Sequence, residues 1–129
     1  MTHELRPRTA VAQMKAYSPP QNGRGGKLRL DFNENTVGCS PTVVSAITNA
    51  LTGESLSMYP EYIQARGKVS SFLGIGENQM TFTNGTDEAI QLLFNTFVEA
   101  GSEVLILTPS YAMYRFYAEL AGAVVRQVE

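Results

Sequence analysis

The chain has 129 residues, a formal net charge of −2, one cysteine and no tryptophan. The length allows one domain with a real core, and ten scattered basic residues supply no cationic field for nucleic acid or an anionic membrane. Cys39 alone makes no internal disulfide, the N-terminus lacks the apolar stretch of a secretory signal, and no apolar run approaches the ~20 residues of a membrane span, so a cytoplasmic protein is expected.

Residues 1 to about 28 mix Pro, Gly, Arg and Gln, and Ser18-Pro-Pro-Gln-Asn-Gly-Arg-Gly-Gly26 is a loop signal. This irregular arm has no core of its own and needs something to lie against. From Ser40 the pattern turns helical: Ser40 suits an N-cap, Pro41 the first turn, and Val43, Val44, Ile47, Ala50 and Leu51 recur at helical spacing until Gly53 ends the run. A second helix is expected after Pro60, with Tyr62, Ala65, Val69, Phe72 and Leu73 on one face and Gly74 past its end. Met58 and Met113 read as packing residues.

The rhythm then changes. Met80–Thr83 reads as a strand, Asp87–Val98 as a helix, Glu103–Leu107 as a buried strand, Tyr111–Ala121 as a helix and Ala123–Val128 as a third strand. Such alternation predicts an α/β fold with a mostly parallel sheet. Parallel sheets are usually built from more than three strands and covered on both faces, so further chain is expected after Glu129.

The most informative local feature is Phe82-Thr-Asn-Gly-Thr-Asp-Glu88, which leaves a β-rich run and opens a helix. A helix N-terminus has unpaired N–H groups and roughly half a positive charge, so it attracts anions. Read locally, the segment is equally a strand-to-helix turn whose acids, Asp87 and Glu88, complement the dipole. Those acids would repel a phosphate unless their side chains turn away. Tyr111, after Pro109-Ser110, opens a helix at the carboxyl end of a strand, where open α/β sheets bind ligands. Locally it reads as an ordinary core tyrosine at a helix start. Tyr59 precedes Pro60 and is therefore pushed towards extended backbone.

Taken together with Leu30-Asp-Phe-Asn-Glu-Asn35, Met58-Tyr-Pro60 and Thr108-Pro-Ser-Tyr-Ala-Met-Tyr114, the turn at Gly85 resembles the N-terminal part of the pyridoxal-phosphate aminotransferases of fold type I, and among them the histidinol-phosphate branch. The resemblance implies an irregular arm (1–28) followed by the N-terminal part of the class I/II domain (29–129). It implies that the amides of Gly85, Thr86 and Asp87 hold the phosphate of pyridoxal 5'-phosphate and that Tyr111 stacks on its pyridine ring. The tyrosine matching Tyr59 reaches across a homodimer to the partner's cofactor phosphate. Asn35 and Gly38 match the substrate side, and Tyr17 matches a tyrosine that meets the substrate phosphate. The implied reaction is transamination between a small-molecule amino donor, histidinol phosphate, and 2-oxoglutarate in histidine biosynthesis.

The sequence departs from the family in two ways. Thr36 and Cys39 stand where the family usually has proline, which leaves that loop freer. Lys15, Lys27 and Lys68 are the only lysines, and none matches the Schiff-base motif. The lysine, the pyridine-binding aspartate and the substrate-gripping arginines lie further along in the family, as do strands that separate the Met80–Thr83 and Glu103–Leu107 strands. The 129 residues alone are therefore expected to be inactive and poorly folded, with the Leu92, Leu93 and Phe94 face exposed. The alternatives are a non-catalytic binding or interaction fragment, a related aromatic amino acid aminotransferase or threonine-phosphate decarboxylase, and a small nucleotide-binding domain. The last lacks a Gly-x-Gly-x-x-Gly after any strand. Gly23-Arg-Gly-Gly-Lys27 lacks Walker spacing, and His3 and Cys39 have no ligand-spaced partners, so neither a P-loop nor a metal site is expected.

Overall fold

A computed structural model describes residues 5–16, 18 and 22–129. Its helices are α1 (Thr9–Ala12), α2 (Pro41–Ala50), α3 (Gly53–Ser57), α4 (Ile63–Leu73), α5 (Gly85–Phe97) and α6 (Ala112–Ala121), and its strands are β1 (Glu103–Leu107) and β2 (Val124–Val128). The chain divides into two compact units, one of residues 1–18 with 81–129 and the other of residues 19–80. None of the described helices is long and apolar enough to cross a membrane.

In the first unit β1 and β2 pair in parallel, from Glu103 opposite Val124 to Leu107 opposite Val128, and α6 provides the crossover. Apolar residues every three or four positions give α5 and α6 one face each. The small core lies where those faces meet β1: Ile90, Ile106, Met113 and Ala118 are buried, Ala118 completely. Gly122, left-handed at φ 81°, ends α6, and the Gly101 N–H donates to its carbonyl at 2.9 Å. The stretch expected to be an irregular arm holds a helical turn, α1, and its described residues before 19 find support here. α1 packs on α6, and Arg8 donates to the Leu120 carbonyl at 3.0 Å.

The expected strand at Met80–Thr83 does not form; the segment is irregular. A strand is defined by a hydrogen-bonded neighbour, and the described sheet has only β1 and β2. The other face of β1 explains the rest: Leu105 and Leu107 are 67% and 68% exposed, and with Phe94 and Tyr114 they line a groove of about 330 Å3. Leu92 and Leu93 of α5 are exposed as expected, whereas Phe94 is half-buried.

The second unit has no buried residue among those described. α2 begins at Pro41, but the Ser40 side chain makes no cap bond; its carbonyl accepts from Val44 N–H instead. Gly53 does not simply stop α2, which ends at Ala50. It opens α3, because Thr52 and Ser55 form a reciprocal capping box, with Ser55 N–H donating to Thr52 Oγ1 at 3.0 Å and Thr52 N–H to Ser55 Oγ at 2.8 Å. α4 starts three residues after Pro60, at Ile63, and ends at Gly74, left-handed at φ 68°. Arg66 donates to the carbonyls of Glu77 and Met80, which fastens the chain leaving α4 back onto that helix. Met58, expected to pack, is exposed, as is Phe72 on the expected inner face of α4. Both faces lack an apolar partner within this unit.

Candidate functional site

Of the seven described residues expected to bind ligand, four lie in the first unit. Gly85 is the first residue of α5 and sits at φ 82°, a conformation that side-chain-bearing residues rarely adopt. A Cβ placed there meets no heavy atom within 4 Å, so the space before the helix is open. The Thr83 hydroxyl donates to the Gly85 carbonyl at 3.0 Å and braces the turn. The N–H groups of Gly85, Thr86 and Asp87 belong to the first turn and have no intrahelical acceptor. This is the positive end of the α5 dipole, and the acids of the first turn, Asp87 and Glu88, stand at it.

Both acids of the turn are occupied. Glu88 reaches back to accept from the Asn84 N–H, and Asp87 Oδ1 accepts from the Tyr111 hydroxyl at 2.9 Å. Asp87 and Tyr111 are 24 residues apart in sequence, and this bond joins the start of α5 to the start of α6. Tyr111 follows the carboxyl end of β1, where Thr108 N–H donates to the Val128 carbonyl at 2.8 Å and ties the two strand ends together. Its ring is partly exposed and meets the Tyr114 ring edge-on, with centroids 6.2 Å apart and planes at 90°. The arrangement offers amide donors for an anion and, on the same rim, an aromatic face. That donor set suits a phosphorylated aromatic ring.

Asn35, Gly38 and Tyr59 lie in the second unit. Asn35 closes a tight turn on Gly38: its Nδ2 donates to the Gly38 carbonyl at 2.9 Å, and its Oδ1 accepts from Val37 N–H at 3.1 Å. Gly38 itself takes φ 87°. The loop expected to be freer without its prolines is thus held by the Asn35 side chain. Upstream, Arg24 bonds both Asp31 and Glu34, lies 4.4 Å from the Phe32 ring centre, and leaves Glu34 to be shared with Arg29. The Arg29 hydrogen bond, then that of Arg24, holds the Glu34 carboxyl below its ordinary range. Arg24 lowers Asp31 in the same way, and the bond to Asp31 chiefly raises Arg24 in return. Tyr59 is 98% exposed on non-helical chain between α3 and α4, as Pro60 predicts. Tyr17 lies outside the described residues.

Sequence reasoning missed three contributors: Thr83, Tyr114 and Arg24. Glu88 lies four residues after the Asn84 N-cap, one beyond the capping-box step, so that rule does not announce it. Nothing local announces that Arg24 pairs with Asp31 and Glu34. Cys39 is exposed, and the described residues contain no cluster of three or more metal-ligating side chains.

The family model for aminotransferase class I and II matches residues 26–129, and the chain belongs to that family. Histidinol-phosphate aminotransferase of Anoxybacillus flavithermus is 34% identical over 128 residues, covering 92% of this chain and 34% of that protein. The enzyme of the same name from Geobacillus thermodenitrificans is 42% identical over 103 residues, covering 78% and 28%. A crystal structure of histidinol-phosphate aminotransferase from Sinorhizobium meliloti, in complex with pyridoxal-5'-phosphate, superposes with a TM-score of 0.69 at 23% identity over 75% of this chain and 26% of that one. That likeness is one of fold: the helices and parallel strands here are part of the fold type I aminotransferase architecture. The chain spans about a third of the length of the curated relatives it matches.

Proposed function

We propose that this chain forms the cofactor-phosphate turn and the substrate-side loop of a pyridoxal-phosphate-dependent aminotransferase that exchanges an amino group between histidinol phosphate and 2-oxoglutarate. The observation that carries the reading is the joining of the open Gly85 turn to the Tyr111 ring through Asp87, in a chain of this family. The names of the relatives support the substrate.

Pyridoxal phosphate, when bound, supplies an electron sink for carbanion chemistry at the amino-bearing carbon. The residues of this chain bind and orient it. The amides of Gly85, Thr86 and Asp87 donate to the phosphate, and the α5 dipole adds attraction. Asp87 and Glu88 turn their carboxylates to Tyr111 and Asn84, which supports the reading although acids stand in the first turn. The Tyr111 ring lies against the pyridine face, a contact worth about 1 kcal/mol beyond its buried area. Asn35 and Gly38 shape the substrate side, Tyr17 meets the substrate phosphate, and Tyr59 donates to the cofactor phosphate of a partner copy in a homodimer. Lys15, Lys27 and Lys68 take no part in proton transfer. The reading requires a reactive lysine from outside these 129 residues, and the 129 residues alone are inactive.

Borohydride reduction in the presence of cofactor tests this in the full product of the reading frame and, side by side, in the 129-residue chain. The expected result is a single trapped lysine outside residues 1–129, turnover of histidinol phosphate with 2-oxoglutarate by the full product, and neither in the short chain. A trapped Lys15, Lys27 or Lys68 would overturn the site. Turnover of an aromatic amino acid in preference to histidinol phosphate would overturn the substrate.

A further inference from the structure

The phosphate-holding role falls to the backbone amide of Asp87 and not to its side chain. That side chain nevertheless makes the one described hydrogen bond between the α5 turn and Tyr111, at 2.9 Å. A tyrosine ring is a rod held at its Cβ; fixing the hydroxyl at the far end fixes the rod's long axis. Rotation about that axis then remains, and the Tyr114 edge, perpendicular to the Tyr111 ring at 6.2 Å, opposes it.

We infer that Asp87 is a positioning residue: its carboxylate sets the attitude of Tyr111, so that the ring presents its face to a flat phosphorylated aromatic ligand anchored on the amides of the same turn. The inference rests on the cofactor reading for the ligand, but the tether itself does not. One residue then serves both ends of the ligand, its N–H towards the phosphate and its carboxylate, through Tyr111, towards the ring. A carboxylate in the first turn also competes with a phosphate for the helix dipole, and engagement by a phenol gives it a partner.

The test compares wild type with Asp87→Ala, Asp87→Asn and Tyr111→Phe in the full product of the reading frame. The first readout needs no cofactor: ring-13C-labelled tyrosine, with the Tyr111 signals assigned by Tyr111→Phe. Asp87→Ala should move them towards the averaged values of a free tyrosine, and Asp87→Asn, whose amide oxygen still accepts, should restore most of the difference. The second readout is affinity for pyridoxal phosphate relative to inorganic phosphate, followed by induced circular dichroism and competition. Loss of a hydrogen bond to a charged group should lower that ratio roughly tenfold in Asp87→Ala and in Tyr111→Phe, with no further loss in the double variant. Tyr111 signals that ignore Asp87→Ala, or an unchanged affinity ratio, would overturn the inference. The expected ring response in a protein with no affinity for pyridoxal phosphate would support the tether and overturn the cofactor reading instead.

Discussion

The two units of the chain are held by different forces. The first closes Ile90, Ile106, Met113 and Ala118 between two helices and a parallel strand pair. The second, without a buried residue among those described, is held by short polar links: Arg24 with Asp31 and Glu34, Arg66 with the Glu77 and Met80 carbonyls, the Thr52–Ser55 capping box and the Asn35 turn. Apolar burial is additive in area and cooperative, whereas exposed polar links each contribute little and are weakened by salt. The unit that presents the candidate phosphate turn therefore owns the scaffold that shapes it. The candidate substrate-side loop instead rests on charge and turn chemistry.

The largest expected effect breaks the first unit. Ile90→Ala removes most of a buried side chain from a core of four and should lower unfolding free energy by about 2 kcal/mol or more, measured by urea denaturation. Phe72→Ala, at an 88% exposed position of the second unit, should move the same midpoint by less than about 0.5 kcal/mol. Equal losses at the two sites would erase the contrast.

Next comes Gly85→Ala. The added Cβ meets open space, so its cost is conformational, about 1–2 kcal/mol for a left-handed residue with a side chain. It should weaken pyridoxal phosphate binding more than it weakens the fold, read by parallel titration and thermal melting. In the second unit, Asn35→Ala removes both bonds that close the Gly38 turn and should cost about 1 kcal/mol. The readout is loss of hydrogen-exchange protection confined to the amides near Val37 and Gly38.

The smallest effect sharpens the electrostatic side. Asp31 and Glu34 have lowered folded pKa values, so the stabilisation from their links to Arg24 and Arg29 is complete above the ordinary carboxylate range and is lost as pH falls through the lowered values. Carboxylate titration by NMR should find both residues among the last to protonate on acidification. Arg24→Gln should return Asp31 towards its ordinary value and leave Glu34 partly lowered through Arg29.

The elements of the first unit from α5 to β2 were legible because their causes are local, whereas α1, within the stretch read as irregular, was not. Four-residue apolar spacing makes α5 and α6, β-rich runs make β1 and β2, and Gly122 ends α6, as Gly74 ends α4 in the other unit, by adopting a φ value that other residues avoid. The Gly85 turn was legible for the same reason: a left-handed glycine at the mouth of a helix is a property of a few consecutive residues. α3 was missed because Gly53 was read as a terminator, when the cap formed by Thr52 and Ser55 outweighed it.

Local sequence was thus enough for the order of α2, α4, α5, β1, α6 and β2, for most of their ends and for the family to which the chain belongs, though not for α1 or α3. Tertiary structure decided which of those ends meet. No local rule pairs Asp87 with Tyr111 across 24 residues, or Arg24 with Glu34 across ten, because such bonds depend on how helices and loops pack, not on the residues between them. The same reason undid the strand at Met80–Thr83: extended propensity resides in the residues, but a strand exists only where a neighbouring backbone completes its hydrogen bonds.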